Sequence, residues 1–246
     1  MRVVGLWRFP VKSMQGQSLE RADIDELGIV GDRQWALVDT ETGLALTARR
    51  EPQLLLASAR WRDGAVEIEL PDGSIAEDDD SLSQWIGRPV VLRHAGPKVH
   101  GTYEIATDSE DEAGSRWVQW DGPEGTFHDS TSTRVSIMST ASMRQWALRR
   151  FRTNVVVEAD VDSDGDGDGE EDGLVGHHVT IGTVSLDVVK QIDRCVMTTR
   201  PQPGGIERDL DVLRTINAER GSLLGVSAMV TRAGTVTIGD ELRVDG

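Results

Sequence analysis

The chain has 246 residues, 38% of them hydrophobic, and a formal net charge of −16, which allows one large domain or two small ones with real cores. Its single cysteine excludes an internal disulfide, and the excess of acid argues against nucleic-acid binding, which needs a basic face. There is no apolar signal-peptide core and no apolar run long enough to span a bilayer, so a cytoplasmic protein with no membrane attachment is expected.

Taken in order, short β segments come first: 3–9, 18–25, 34–39 and 44–48, with Thr42-Gly43 as a hairpin tip. Segments 54–61 and 65–70 follow around Asp63-Gly64, and 81–86 reads as a short helix with an acidic start at Asp78-Asp79-Asp80. Residues 94–125 are polar and read as a connecting loop. A helix is expected over 140–150, capped by Ser139 or Thr140, then a strand at 154–158. A hairpin around Gly182 joins 179–181 to 184–189. A helix at 210–218 and strands at 224–231 and 235–238 complete the chain. Strands dominate and connections are short. The pattern predicts a mainly β fold with a few short helices (α+β), arranged as barrel-like units rather than as an alternating βαβ sheet. The division expected is 1–93, a connection at 94–125, and 126–246 with an acidic insert at 160–173.

Composition singles out a few residues. The charge is split as 25 Asp and 17 Glu against 23 Arg and 3 Lys, a balance like that of a chain adapted to high salt. Each of Lys12, Lys98 and Lys190 is therefore worth tracing. Cys195 lies between Arg194 and Arg200, and a neighbouring cation favours the thiolate, the form that attacks electrophiles and binds soft metals. A buried cysteine acting only as a small hydrophobe is the alternative. In the insert, Asp160, Asp162, Asp164, Gly165 and Glu171 match the spacing of a calcium loop. An Asp/Gly repeat matches such a pattern by chance, so calcium is not expected and a solvated hairpin tip is. The five histidines show no metal-ligand spacing, and His177-His178 is expected to face solvent.

Several segments together resemble the MOSC family, the fold of the C-terminal domain of molybdenum cofactor sulfurase. They are similar above all to its amidoxime-reducing members, which carry an N-terminal β-barrel extension. The extension is seen in Phe9-Pro10-Val11-Lys12-Ser13, in Leu27-Gly28-Ile29-Val30-Gly31-Asp32-Arg33-Gln34-Trp35 and in 46–54. The MOSC domain proper is seen in Arg150-Phe151-Arg152-Thr153-Asn154-Val155-Val156, in Asp193-Arg194-Cys195-Val196-Met197-Thr198-Thr199 and in 234–240. The resemblance implies an N-terminal β-barrel-like domain packed on a MOSC β-barrel domain, and a mononuclear molybdenum cofactor, a metal-carrying pterin dithiolene with a phosphate. It makes Cys195 the metal ligand and catalytic centre, with Arg194 beside it. Lys12 and Ser13 match the positions that hold the phosphate end, and Arg33 and Arg152 those of cofactor-contacting arginines. Thr131, Ser132 and Thr133 fall where the family has a polar trio. Arg134 and Thr153 stand where it usually has proline. The alternatives are a surface lysine for Lys12 and a structural ion pair with Asp32 for Arg33.

By the same resemblance, the activity is reduction of small N-hydroxylated substrates by a molybdenum-dependent oxidoreductase. The chain has no C-x4-C-x2-C run and no dinucleotide glycine fingerprint, so a separate ferredoxin or flavoprotein must supply electrons. Two rivals use the same residues: a cofactor carrier without turnover, and a sulfur carrier with a persulfide on Cys195. With three lysines, a pyridoxal-phosphate Schiff base is not expected. A monomer is expected.

Overall fold

The computed structural model describes residues 1–62, 64–107, 114–158 and 169–245. Among them strands dominate, and α-helix is confined to α1 (Asp79–Ile86), α2 (Thr140–Met143) and α3 (Asp211–Arg220). The largest sheet has eight strands in the order Leu242–Val244, His178–Ile181, Val184–Asp193, Leu223–Arg232, Val135–Ser139, Val155–Glu158, Arg2–Arg8 and Gln17–Leu19. Its neighbours are antiparallel except Val135–Ser139 with Val155–Glu158. All five residues of the first and three of the four in the second are buried, as expected for a parallel pair covered on both faces.

The two ends of the chain interlock. Arg2–Arg8 lies inside this sheet of mostly C-terminal strands, and Gly234–Thr237 pairs with Arg21–Asp25. One core accordingly mixes Val3, Leu6, Ile24 and Ile29 with Val155, Leu186, Val226 and Val236. A second core belongs to the N-terminal half and includes Val11, Met14, Leu37, Leu54, Leu82 and Val90. On the far side of the large sheet, α3 packs Val212 and Ile216 against Met138, Phe151 and Leu224. Each such side chain, fully buried, contributes roughly 1.5–3 kcal/mol.

Helix α1 forms where the sequence places one. Asp78 accepts from the Ser81 amide at 2.8 Å, Ser81 Oγ accepts from the Asp78 amide at 3.2 Å, and Gly87 closes the helix in the left-handed region. Elsewhere tertiary context changes the outcome. The 140–150 helix stops at Met143, because Arg144 turns to φ 51°, and only a 3-10 turn re-forms at Leu148–Arg150. Segment 18–25 breaks at Glu20 into strands of two different sheets. Segment 44–48 makes a single bridge, Ala45 to Val38, instead of a strand. Pro52–Leu56 forms a 3-10 turn, as suits a proline at its start, before Ser58–Arg62 extends. Within the expected 94–125 loop, Thr102–Ala106 and Trp117–Asp121 pair as a hairpin. Thr102-Tyr103-Glu104-Ile105 alternates as a strand does, but within an otherwise polar stretch, and one fully buried side chain, Tyr103 stacked on Trp120, anchors the pair.

Asp160, Asp162, Asp164 and Gly165 lie outside the described residues. Glu171 does not match a solvated tip. It is fully buried in a 3-10 turn, Glu170–Leu174, and its Oε2 accepts from Ser142 Oγ at 2.9 Å. His177 is exposed, and His178 is half-buried on Asp187 at 2.7 Å. No helix among the described residues is long and apolar enough to cross a membrane.

Candidate functional site

The three lysines separate at once. Lys98 and Lys190 are exposed, whereas Lys12 is 3% exposed. Strand Arg2–Arg8 runs out through Phe9-Pro10 into the turn that carries Lys12, whose amide is held by the Trp35 carbonyl at 2.8 Å. Its ammonium donates to the Phe127 carbonyl at 3.0 Å and to Asp129 Oδ1 at 2.5 Å, and lies 4.1 Å from the centre of the Tyr103 ring. Burial pushes the Lys12 pKa down, Asp129 opposes this, and Arg33 and Arg152 add to it. Ser13 follows at φ 68°, and its Oγ accepts from the Ala48 amide at 2.9 Å.

Arg33 and Arg152 meet over one aromatic ring, at 5.1 and 4.5 Å from the centre of Phe9. Arg33 is ion-paired with Asp32, whose other oxygen accepts from the Phe9 amide at 2.6 Å. It also donates to the Arg152 carbonyl at 3.0 Å and to Asn154 Oδ1 at 3.4 Å. Arg152 donates to the Met14 carbonyl, next to Ser13. Burial, then the field of Arg33, bring the Arg152 pKa down to about 9, with Asp32 and Asp129 opposing. Two guanidinium groups and an ammonium thus share the space of two carboxylates, which leaves a net positive bowl.

The large sheet delivers the thiol. Strand Val184–Asp193 ends at Arg194-Cys195, and the Cys195 carbonyl opens a 3-10 turn by accepting from the Thr198 amide and hydroxyl, both at 3.0 Å. The thiol is free and half-buried. Arg194 donates to the Leu224 carbonyl at 2.8 Å and to the Phe151 carbonyl at 3.0 Å, and its Nη2 is buried without a partner. Its pKa falls to about 10 through burial, opposed by the fields of Cys195 and Glu171 and assisted by Arg33. A Cβ at Gly225 would sit 3.1 Å from that Nη2, so glycine gives the guanidinium its room. Arg33 is the common element. Its field reaches Lys12 and Arg152 on one side and Arg194, the neighbour of Cys195, on the other.

The family model of the MOSC N-terminal beta barrel domain matches residues 1–119, and that of the MOSC domain matches residues 124–243. The chain belongs to the MOSC family. Among the MOSC relatives, mitochondrial amidoxime reducing component 2 of Bos taurus is 26% identical over 96% of this chain and 80% of its own length. The human protein of that name is 26% identical over 97% and 82%. The crystal structure of the YUAD protein from Bacillus subtilis aligns over 99% of this chain and 94% of its own, at 14% identity and a TM-score of 0.44.

Of the residues expected from sequence, Arg33 contacts the Arg152 carbonyl, Arg152 reaches the Met14 carbonyl next to Lys12-Ser13, and Arg194, next to Cys195, reaches the Phe151 carbonyl beside Arg152. The Asp32–Arg33 ion pair, the alternative for Arg33, is present. Thr131, Ser132 and Thr133 lie on the turn after Asp129, exposed to half-buried. Ser132 Oγ lies 2.9 Å from Ser130 Oγ, and the Thr133 carbonyl accepts from Arg134, but no contact joins them to Lys12 or Arg33. Sequence reasoning missed Phe9, His128, Asp129 and Arg150. Phe9 is the ring beneath two cations. Arg150 is buried and donates to the carbonyls of Thr198 at 3.0 Å and Glu207 at 2.7 Å, which braces the cysteine turn. His128 and Asp129 precede the polar trio, separated from it by Ser130, and a lysine with no carboxylate near it in sequence is the signal that could have pointed to such a partner.

Backbone strain marks the same place. Among the described residues, Ser13, Arg33 and Arg152 are three of five non-glycine residues with positive φ, and a fourth, Ser222, accepts through its carbonyl from the Arg194 amide. A cleft of about 300 Å3 lined by Arg93, Lys98 and His100 shares only Phe127 with the bowl and is a separate recess.

The MOSC family is associated with the molybdenum cofactor, and the residues fit such a group. Lys12, Arg33 and Arg152 outnumber the carboxylates of Asp32 and Asp129, Arg194 Nη2 and the His128 Nε2 ring nitrogen are buried without hydrogen-bond partners, and the free thiol of Cys195 follows Arg194 in the chain. Among the described residues no three His, Cys, Asp or Glu side chains gather around one point. A metal beside Cys195 would draw its other ligands from a cofactor.

Proposed function

We propose that this chain is an oxidoreductase that binds a mononuclear molybdenum cofactor and reduces N-hydroxylated compounds. The supporting observation is a run of contacts: Arg33 donates to the Arg152 carbonyl at 3.0 Å, and Arg194, the neighbour of Cys195, donates at 3.0 Å to the carbonyl of Phe151, the residue before Arg152. The names of the relatives, amidoxime reducing components, supply the substrate class.

When bound, the cofactor supplies the two-electron redox chemistry. The chain's residues bind and orient. Lys12 and Ser13 hold the phosphate end, and the guanidinium forks of Arg33 and Arg152 take anionic oxygens or the pterin edge. Cys195 offers one sulfur ligand beside Arg194, whose carbonyl contacts on Leu224 and Phe151 fix its place. Thr131, Ser132 and Thr133 form a polar rim. The net reaction breaks the substrate N–O bond, consumes two electrons and two protons, and releases the oxygen as water. The electrons come from a separate ferredoxin or flavoprotein.

Metal analysis of purified protein tests this. Molybdenum is expected in the wild type and absent from Cys195→Ala, and loaded wild type with reduced viologen as donor is expected to consume benzamidoxime or N-hydroxycytosine. Equal loading of both proteins refutes the ligand assignment. Full loading without turnover of either substrate refutes the reductase and leaves a carrier.

A further inference from the structure

We propose that His128 is a further ligand of the anionic group held by Lys12, Arg33 and Arg152. This rests on the anion-binding reading above and adds to it a residue outside the motifs that led there. His128 is 3% exposed, and its Nε2 is buried with no hydrogen-bond partner. A buried ring nitrogen left unpaired is costly and rare, so something is expected to meet it.

Its segment is sewn to the bowl on both sides. The Phe127 amide donates to the Arg33 carbonyl at 2.7 Å, the Phe127 carbonyl accepts from Lys12, and Asp129 pairs with Lys12. His128 is the residue between. The charged groups acting on it are Arg33, Arg134, Asp129 and Lys12. Burial, then the three cations, hold the ring well below its usual pKa against the pull of Asp129, so it stays uncharged. That state suits the place. A neutral N–H gives an anionic oxygen a hydrogen bond without adding another positive charge to a bowl that already has a surplus. The other four histidines are exposed or half-buried.

Inorganic phosphate is the probe, used on full-length protein free of cofactor. Ring nitrogens of 15N-histidine-labelled protein are followed by NMR, and affinity is measured by calorimetry for wild type, His128→Ala and His128→Gln. Glutamine keeps an N–H near the Nε2 position. Saturation is expected to move the His128 Nε2 signal. His128→Ala is expected to weaken binding about tenfold, and His128→Gln to restore it to within about threefold of wild type. Phosphate binding with an unmoved Nε2 signal overturns the His128 assignment alone, as does equal affinity in all three proteins. A wild type that does not bind phosphate overturns the anion-binding reading and this assignment together. The signal in wild type decides the matter even if His128→Ala does not fold.

Discussion

Replacing Asp129 by asparagine tests the electrostatics of the bowl most directly. Lys12 has three contacts: Asp129, the Phe127 carbonyl and the Tyr103 ring. The amide oxygen of asparagine still accepts a hydrogen bond, so what is lost is charge. Breaking a fully buried pair costs about 3–5 kcal/mol, and an exposed pair about 0–1. The Lys12 side chain is 3% exposed and that of Asp129 83%, so water screens one partner, and about 1–2 kcal/mol is expected. For a chain of this size that lowers the unfolding midpoint by roughly 5 °C at pH 7. The sign with pH follows from the Asp129 carboxyl. The surrounding protein alone would raise its pKa, but Lys12, by charge and hydrogen bond, and Arg33 outweigh that and hold it at about 2. The stabilisation is therefore present above the unfolded value of about 3.9 and is lost as pH falls toward about 2, so wild type and variant converge over that interval. Asp129 also occupies Lys12 in place of an outside anion, and Asp129→Asn should bind inorganic phosphate about fivefold more tightly. Thermal unfolding by circular dichroism from pH 7 to pH 3, with and without phosphate, reads all three effects. An unchanged midpoint at pH 7 with phosphate binding equal to or weaker than wild type would refute the reasoning.

Other perturbations separate structure from binding. Arg150→Met leaves the carbonyls of Thr198 and Glu207 without their donor and should cost about 2–4 kcal/mol in urea unfolding, with the cysteine turn losing hydrogen-exchange protection first. Ser13→Ala removes the acceptor of the buried Ala48 amide and should cost about 1–3 kcal/mol by the same measurement. Phe9→Leu removes the ring under both Arg33 and Arg152, worth about 0.5–1 kcal/mol for each, and calorimetry should show phosphate binding about three- to tenfold weaker.

Local chemistry carried some of this into the sequence. Asp78 and Ser81 are three residues apart and cap α1 whatever surrounds them, so that helix was legible. The rarity of lysine and cysteine made Lys12 and Cys195 visible, and the resemblance joined them to Arg33, Arg152 and Arg194. Elements whose stability comes from distant partners were not legible. The Thr102–Ala106 and Trp117–Asp121 hairpin lies in an otherwise polar stretch and depends on burying Tyr103, and the turn at Arg144 ends a segment with a good helical pattern.

The sequence by itself determined a mainly β chain, its apolar strands, its acidic surface and which few side chains could carry chemistry, because composition and spacing act over a few residues. Only the tertiary structure decided that Lys12 is buried while Lys98 and Lys190 are not, that Asp129 and His128 belong with it, and that Phe9 lies under two arginines. Those outcomes depend on the first strand lying within a sheet of later strands, a long-range pairing no local pattern encodes. Burial then sets the electrostatics, because charges removed from water interact strongly with whatever the fold places beside them.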